Sequence, residues 1–356
     1  MRRSRRDLAA CLPRLPRRLG WLDPGLHSSR KPGRDNTTAL DRAPLRNEGR
    51  RRSGASDPAP PKRRSSPESR ASWPPSTRAA GAGPLEIETR DQLVDVPGGQ
   101  VFVRTWAPAD AAGGGEPPIV LLHDSLGSVE LWRDFPEKLA ARLGQRVIAY
   151  DRLGFGRSTP RTEPIPLSFI RDEAEAHFPA LRRALGLDEY VLFGHSVGGV
   201  MSLLVAASGR EPCLAVVSES AQPFVEERTR EGIRRARDGF ADPAQFAKLA
   251  RWHGERAAWV LASWTLTWLS PAFDEWSLRD DLPRVRCPVL VIHGDQDEYG
   301  SVAFPEGIGA RVGGPVEVAV LTGCGHVPHR ERPDEVFAKV AAFLAEKGPD
   351  AATGGN

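Results

Sequence analysis

The sequence is poor in cysteine and has no long apolar stretch. Its four cysteines, Cys11, Cys213, Cys287 and Cys324, are too few and too scattered for a disulfide framework in a chain of 356 residues. Sparse cysteine is typical of a reducing compartment, and we expect a cytoplasmic protein. No apolar run reaches the ~18 residues of a membrane-spanning helix, so the sequence predicts no membrane span.

The first part of the chain lacks an apolar segment and has only two aromatic residues, Trp21 and Trp73, among its arginines. Prolines and arginines interrupt the segment from Met1 to Leu22, which excludes the apolar core of a secretory signal. Residues 1–80 hold 20 Lys and Arg against 7 Asp and Glu, which leaves 29 basic and 39 acidic residues in the remainder. The net charge of +3 is therefore the sum of a basic N-terminal part and a mildly acidic remainder. Nucleic acid is not an expected partner of that remainder.

Composition divides the chain into three predicted regions. Residues 1–82 are rich in Arg, Pro, Ser and Gly and poor in aliphatic residues, which predicts a disordered basic extension. A linker, a nucleic-acid or membrane-surface arm, a targeting sequence and translation from an upstream start codon are open alternatives for it. We expect residues 83–347 to form the folded domain and residues 348–356 to form a flexible tail. The oligomeric state is left open by these patterns.

From residue 85 onward, short β-branched runs alternate with longer amphipathic runs, which is typical of strand-helix units. The turn residues Pro97-Gly98-Gly99 predict an antiparallel hairpin at the start. The predicted strands are Gln92 to Val96, Gln100 to Trp106, Pro118 to Leu122, Arg146 to Tyr150, Tyr190 to Phe193, Cys213 to Val217, Pro288 to Ile292 and Val316 to Leu321. The predicted helices are Phe135 to Leu143, Phe169 to Leu185 with a kink at Pro179, Val197 to Ser208, and Pro333 to Lys347.

This alternation predicts an α/β fold with a doubly wound, mostly parallel sheet, but it is interrupted once. No strand is evident between Glu219 and Arg286, where three or four helical stretches occur instead. We expect a helical cap over about residues 222–284, above the strand ends. The tryptophans of this region indicate an apolar pocket. They are Trp252, Trp259, Trp264, Trp268 and Trp276.

A serine lies where a predicted strand turns into a predicted helix. In Gly194-His195-Ser196-Val197-Gly198 the glycines allow a sharp turn and a close approach of the helix, with the serine hydroxyl exposed at the helix's positive end. Serine is a poor nucleophile at neutral pH unless a base takes its proton and a carboxylate orients that base. The pattern therefore predicts Ser196 as a nucleophile that needs two partners.

Candidates for these partners follow the last two predicted strands. His326 is the predicted base, with His329 as its close rival. Asp297 is the predicted carboxylate, because it lies further into its loop than Asp295 and can reach across to the loop of the base. Glu219, just past an earlier strand, is a third candidate for the acid.

Catalysis on a carbonyl also requires donors for the developing oxyanion. The backbone N–H of Val197, next to the nucleophile, is one predicted donor. The backbone N–H of Ser125, in the loop after Leu122, is the other. A carboxylate beside an oxyanion opposes it unless it points away or is paired, and we expect the side chain of Asp124 to point away from this position.

Five motifs together resemble the α/β-hydrolase superfamily, and they occur in that family's order. They are His123-Asp124-Ser125-Leu126-Gly127, Asp151-Arg152-Leu153-Gly154-Phe155-Gly156-Arg157-Ser158, Gly194 to Gly199, Gly294 to Asp297, and Gly325-His326. The resemblance covers about residues 85–347. It implies an eight-stranded sheet with an inserted cap, a Ser-Asp-His triad, and no cofactor or metal. Many members have Gly after the histidine of the first motif, whereas this chain has Asp124.

These observations predict a serine hydrolase, and within that class a carboxylesterase. Its expected substrate is a small-molecule carboxylic ester or related acyl compound, cleaved through an acyl-enzyme. Hydrolysis of a carbon-carbon bond and cofactor-free haloperoxidase-like activity use the same triad and stay open. A non-catalytic binding module on the same fold is a further alternative.

Overall fold

The computed structural model describes residues 85–109, 116–209 and 212–347. The predicted extension at residues 1–82 and the predicted tail at residues 348–356 lie outside the described residues. The division of the chain into these regions therefore stays a prediction.

Eight strands of the described chain form a single sheet. They are β1 Ile87–Val96, β2 Gly99–Pro108, β3 Ile119–Leu122, β4 Val147–Tyr150, β5 Tyr190–His195, β6 Cys213–Glu219, β7 Val289–Gly294 and β8 Val316–Leu321. Their order across the sheet is β1-β2-β4-β3-β5-β6-β7-β8. β2 pairs antiparallel with β1 and β4, and the other neighbours are parallel. The predicted eight-stranded, mostly parallel sheet is confirmed.

Ten α-helices of the described chain accompany the sheet. They are α1 Phe135–Leu143, α2 Phe169–Asp172, α3 Phe178–Ala184, α4 Val197–Ser208, α5 Glu227–Gly239, α6 Pro243–His253, α7 Ala257–Trp268, α8 Ala303–Gly309, α9 Pro328–Glu331 and α10 Pro333–Lys347. Short 3₁₀ turns occur at Val129–Trp132, Gly254–Arg256, Pro271–Phe273 and Leu282–Arg284. Within the described ranges, no helix has both the length and the apolar character needed to cross a membrane.

The segment predicted as one kinked helix from Phe169 to Leu185 contains a change of helix type. A π-helical turn, Glu173–His177, separates α2 from α3. Pro179 has no N–H to donate to the carbonyl four residues earlier, and the wider turn lies directly before α3. The irregularity therefore begins before the proline, where the helix adapts to the missing hydrogen bond.

Helices cover both faces of the sheet because the central strands are apolar on both sides. Along β3 the side chains alternate between two clusters, since successive residues of a strand point to opposite faces. Val120 and Leu122 pack in the cluster that contains Val200 of α4. Ile119 and Leu121 pack in the cluster that contains residues of α1 and α10. This two-sided burial explains why β3 reads as a continuous apolar run.

Between β6 and β7 the chain forms α5, α6 and α7 in place of a strand. His253 at the end of α6 donates from Nε2 to the carbonyl of Leu126 at 2.9 Å, and its Nδ1 accepts from the Gly156 N–H at 3.1 Å. The ring of Trp259 on α7 packs edge-on against Phe155, with 5.6 Å between ring centroids. These inserted helices therefore lie against the loops that leave the carboxyl ends of β3 and β4.

The start of α4 is in backbone contact with β3 and with the end of β5. A Cβ added to Gly198 would lie 2.0 Å from the carbonyl oxygen of Leu122, and one added to Gly194 would lie 2.1 Å from the carbonyl oxygen of Gly198. Distances this short leave no room for a methyl group. Glycine at these two positions lets the helix begin against the sheet.

Replacing Gly198 with alanine tests this contact. We expect Gly198→Ala to lower the free energy of unfolding by about 1–3 kcal/mol or more, because the methyl group forces backbone apart. Gly239→Ala is the matched control, since a Cβ there meets nothing within 4 Å and alanine favours a helix. Urea denaturation of both variants gives the two values. Equal stability of Gly198→Ala and wild type would contradict the close packing of α4.

Candidate active site

Ser196 occupies the turn between β5 and α4. Its backbone has φ 57° and ψ −123°, a conformation that residues other than glycine rarely adopt. The N–H of Ser196 donates to the carbonyl of Glu219 at 2.8 Å, which ties the turn to the end of β6. The strained residue is therefore held by the neighbouring strand and stands at the N-terminus of α4.

His326 and Asp297 are joined by a buried hydrogen bond. His326 Nδ1 lies 2.8 Å from Asp297 Oδ2, and the N–H of Tyr299 donates to the other oxygen, Oδ1, at 2.7 Å. Asp297 follows β7 and His326 follows β8, and these strands are neighbours in the sheet. A carboxylate on Nδ1 keeps a proton there and leaves Nε2 of the ring as an acceptor.

The two partners shift each other's pKa in opposite directions. Burial opposes ionisation of Asp297, but the His326 ring outweighs it and holds the pKa of the carboxyl below its usual value. Burial also opposes protonation of His326, but the Asp297 carboxylate prevails and raises the pKa of the imidazole above its usual value. The pair therefore favours a charged acid and a more basic histidine.

The rival candidates from the sequence are paired elsewhere. Glu219 Oε2 lies 2.5 Å from His329 Nδ1, and both residues are buried. Asp295 Oδ1 accepts from the backbone N–H of Gly323 at 2.7 Å. The structure thus joins Asp297 to His326, Glu219 to His329, and Asp295 to a loop backbone.

The nucleophile candidate and the base candidate are linked through His195. His195 lies directly before Ser196, its Nε2 donates to the carbonyl of His326 at 2.8 Å, and the two imidazole rings are 5.1 Å apart between centroids. The Ser196 hydroxyl donates to Gln222 Oε1 at 3.3 Å, and the described structure has no hydrogen bond between Ser196 Oγ and His326. The structure therefore brings the three predicted residues to one place with the hydroxyl turned to a neighbouring amide.

The two predicted oxyanion donors lie on chain segments that touch each other. Val197 is the first residue of α4, and a Cβ on the next residue, Gly198, would lie 2.8 Å from the carbonyl of His123 in the loop after β3. In the described structure neither Val197 N–H nor Ser125 N–H has an acceptor. Leu126 N–H, by contrast, donates to Asp124 Oδ1 at 2.7 Å.

The carboxylate of Asp124 is paired. Besides the Leu126 N–H, it faces Nδ1 of His195 at 3.4 Å through Oδ2. Burial opposes ionisation of Asp124, but the contact with His195 outweighs it and keeps the pKa of the carboxyl well below its usual range. Of the two arrangements considered for this carboxylate, pointing away and being paired, the structure shows contacts with an imidazole and with a backbone donor.

Three buried residues beside the serine have the composition of a metal site. One ligand atom from each of His195, Glu219 and His329 lies within 4.8 Å of the others. His329 Nδ1 and Glu219 Oε2 are, however, at hydrogen-bond distance, and both ring nitrogens of His195 already have partners. We therefore interpret the cluster as a hydrogen-bonded support behind the turn at Ser196.

The cap tryptophans divide between structural and site positions. Trp268 is 1% exposed and packs against Phe273 and Trp276, so it belongs to the core. Trp264 contacts the ring of Tyr299 at 5.7 Å, and Tyr299 contacts the ring of His326 at 4.8 Å. Trp264 thus reaches the site through one intervening ring.

Sequence reasoning missed two side chains that the structure places beside the site. Gln222 follows β6, is 5% exposed and accepts from the serine hydroxyl. Arg152 follows β4, is 3% exposed and donates from Nη2 to the carbonyl of Asp124 at 2.8 Å. Gln222 carries no spacing signal, and Arg152 stands in the second of the five motifs without a predicted role, because each meets the site only through the arrangement of the strand ends.

Comparison with known proteins gives consistent matches. A family model described as the alpha/beta hydrolase family matches residues 119–340. Over 224 residues the chain is 29% identical to N-formylmaleamate deformylase from Pseudomonas putida, covering 58% of this chain and 82% of that protein. Over 204 residues it is 28% identical to the serine hydrolase BPHL of Mus musculus, covering 52% of this chain and 65% of that protein, less than two thirds of its length.

The fold has counterparts among solved structures. A 2-hydroxy-6-oxo-6-phenylhexa-2,4-dienoate hydrolase from a Rhodococcus species superposes with a TM-score of 0.59 at 18% identity, covering 73% of this chain and 99% of that one. At this identity the similarity concerns the fold alone.

The Asp297–His326 pair makes stability depend on pH. The lowered pKa of Asp297 contributes stability that is present above 3.8, the ordinary value of the carboxyl, and is lost as pH falls through the folded value. The raised pKa of His326 contributes stability that is present below 6.5, the ordinary value of the imidazole, and is lost as pH rises through the folded value. The full contribution is therefore expected between these two ordinary values.

We expect Asp297→Asn to cost about 1.5–3 kcal/mol of unfolding free energy near pH 5.5, and less at about pH 9. Denaturant titrations at both pH values measure the difference. Asp295→Asn is the control. The Asp295 carboxylate accepts from a backbone N–H, so the loss of stability in this variant should be similar at the two pH values. A loss that is independent of pH for Asp297→Asn would show that the two charges are not coupled.

Proposed function

The chain belongs to the alpha/beta hydrolase family, and we propose that within it the protein is a serine hydrolase that cleaves a carboxylic ester or related acyl compound. The single observation that carries this proposal is the arrangement around Ser196: a strained serine at a helix N-terminus, near a histidine whose Nδ1 is held by a buried carboxylate. The proposed substrate is a small molecule, and the proposed location is the cytoplasm.

In the proposed reaction, Ser196 Oγ attacks the acyl carbonyl and its proton passes to Nε2 of His326. The Asp297 carboxylate orients the imidazole and stabilises the imidazolium that forms. The backbone N–H groups of Val197 and Ser125 bind the oxyanion. His326 then protonates the leaving group, and water hydrolyses the acyl-enzyme with the same histidine as base.

The hydrogen bond from Ser196 to Gln222 belongs to the resting state of this proposal. Rotation of the serine side chain transfers its hydroxyl from the amide to the histidine, a rearrangement consistent with the long or misaligned catalytic hydrogen bonds of many enzymes without substrate. Once the hydroxyl has turned, the Gln222 amide faces the space beside the reacting carbonyl. A polar group next to the scissile bond is the partner that this amide fits.

Labelling with a fluorophosphonate probe tests the nucleophile. We expect intact-protein mass spectrometry to detect one adduct on the wild-type chain and none on Ser196→Ala, because only an activated serine attacks the probe. Ser208→Ala, at the far end of the same helix, is the control and should label like wild type. A folded wild-type protein that forms no adduct would overturn the proposed function.

A panel of nitrophenyl esters tests the substrate class. Ser196, Gln222 and His326 are 4%, 5% and 8% exposed, which leaves little room beside the nucleophile. We therefore expect acetyl and butyryl esters to be hydrolysed with a higher kcat/KM than decanoyl esters. N-formyl amides belong in the panel because one relative is named as a deformylase. Turnover confined to a carbon-carbon substrate, with every ester and amide inert, would make the acyl assignment wrong.

A further inference from the structure

The proposed oxyanion donor on Ser125 and the carbonyl of Asp124 are the two ends of one peptide group. A trans peptide is planar, so its N–H points away from its own C=O. Groups that fix the Asp124 carbonyl therefore also fix the direction of the Ser125 N–H. The environment of that carbonyl decides whether the donor is aligned before substrate arrives.

Three donors converge on the Asp124 carbonyl. Arg152 Nη2 and His123 Nδ1 each lie 2.8 Å from the oxygen, and the Gly127 N–H lies 3.2 Å from it. A peptide carbonyl has two lone pairs, so this one is fully engaged. Two of the three donors are side chains, whose placement depends on the loop after β4.

The same loop also determines how His123 contributes. The backbone N–H of Arg152 lies 3.1 Å from His123 Nε2, which makes Nε2 the acceptor and places the ring proton on Nδ1. Burial keeps the pKa of His123 well below its usual value, so the ring is neutral and carries that single proton. Arg152 therefore acts on the Asp124 carbonyl directly through its guanidinium and indirectly through the tautomer of His123.

The burial of Arg152 is costly, and its charge is only partly compensated. The side chain is 3% exposed, and burial lowers the pKa of the guanidinium despite the carboxylate of Glu173. Its Nε has no acceptor within the described part of the chain. The ring of Phe155, 4.3 Å from the guanidinium carbon, offsets part of the cost. The guanidinium of Arg152 donates its hydrogen bond to the carbonyl of the Asp124–Ser125 peptide, which carries the proposed oxyanion donor.

We propose that Arg152 is a positioning residue for the oxyanion hole: its guanidinium holds and polarises the Asp124–Ser125 peptide so that the Ser125 N–H points at the developing oxyanion. This inference rests on the proposed function. A cation on the carbonyl end draws electron density from the amide and makes its N–H a stronger donor. Because the oxyanion exists in the transition state and not in the bound substrate, the contribution falls on kcat and leaves KM largely unchanged.

A variant that removes the guanidinium but keeps the length of the side chain distinguishes the positioning role of Arg152 from a role in packing alone. We expect Arg152→Met, of similar length without a donor, to lower kcat on an activated ester about ten- to hundred-fold with KM within about two-fold. Arg152→Lys keeps a cation and a donor and should recover part of the loss. Arg161→Met is the matched control, because Arg161 lines the same cavity as Arg152 without bonding the oxyanion peptide, and it should resemble wild type.

Binding of a transition-state analogue provides a second readout that a packing defect does not reproduce. An aryl boronic acid forms a tetrahedral adduct with the serine, and its affinity for Arg152→Met should fall by the same factor as kcat/KM. Inhibition by the product alcohol should stay within about two-fold of wild type, because the alcohol has no acyl oxygen to enter the oxyanion hole. The pH midpoint of kcat, which reports on His326, should not move.

Three outcomes overturn the inference: a folded Arg152→Met with wild-type kcat, a loss confined to KM, or equal losses of affinity for the boronic acid and for the product alcohol. If Arg152→Met does not fold, Arg152→Lys and Arg152→Gln replace it. The expected order of kcat is then wild type above lysine above glutamine, and equal values overturn the inference. A wild-type protein that neither labels nor turns over any acyl substrate defeats the proposed function instead, which is a distinguishable result.

Discussion

The backbone contact around Ser196 is the constraint on which the rest of the site depends. Because α4 begins against β3, the strand ends, the loop after β3 and the first amide of the helix meet within a few ångströms. The same contact forces Ser196 into a positive φ, a strain that the hydrogen bond to the end of β6 helps to hold. A larger distance between α4 and β3 would let the backbone of Ser196 leave its strained conformation and would move Ser196 away from the loop after β3.

Buried ionisable groups around this turn are arranged in pairs. The partners explain how acidic side chains, which are unfavourable when buried alone, can occupy these positions. Asp124 stands in the loop of the proposed oxyanion donor Ser125, yet its carboxylate contacts His195 and a backbone amide. Glu219 and His329 pair behind the turn: burial opposes ionisation of the acid, but the imidazole outweighs it and lowers the pKa of Glu219. Each of these acids thus has an assigned partner, and the carboxylate opposite His326 is that of Asp297.

Much of this arrangement could be predicted from the sequence, because apolar runs and glycine spacing are local signals. The strands that were predicted are all present, although β1 starts at Ile87, earlier than expected, since its exposed edge residues do not alternate in polarity. The short α8 and α9 were missed because a few residues carry no period. The contacts of Gln222 and Arg152 depend on how separate strands align, which spacing along one chain does not encode.

The hydrogen bond between His195 and His326 joins residues 131 positions apart. Its length in sequence has a consequence during synthesis, when the N-terminal part of a domain leaves the ribosome first. A nascent chain that has emerged only as far as α4 contains Ser196 but neither Asp297 nor His326. Under the proposed function, the serine therefore lacks its two partners until the last two strands have docked, and an incompletely folded chain stays inactive toward acyl compounds.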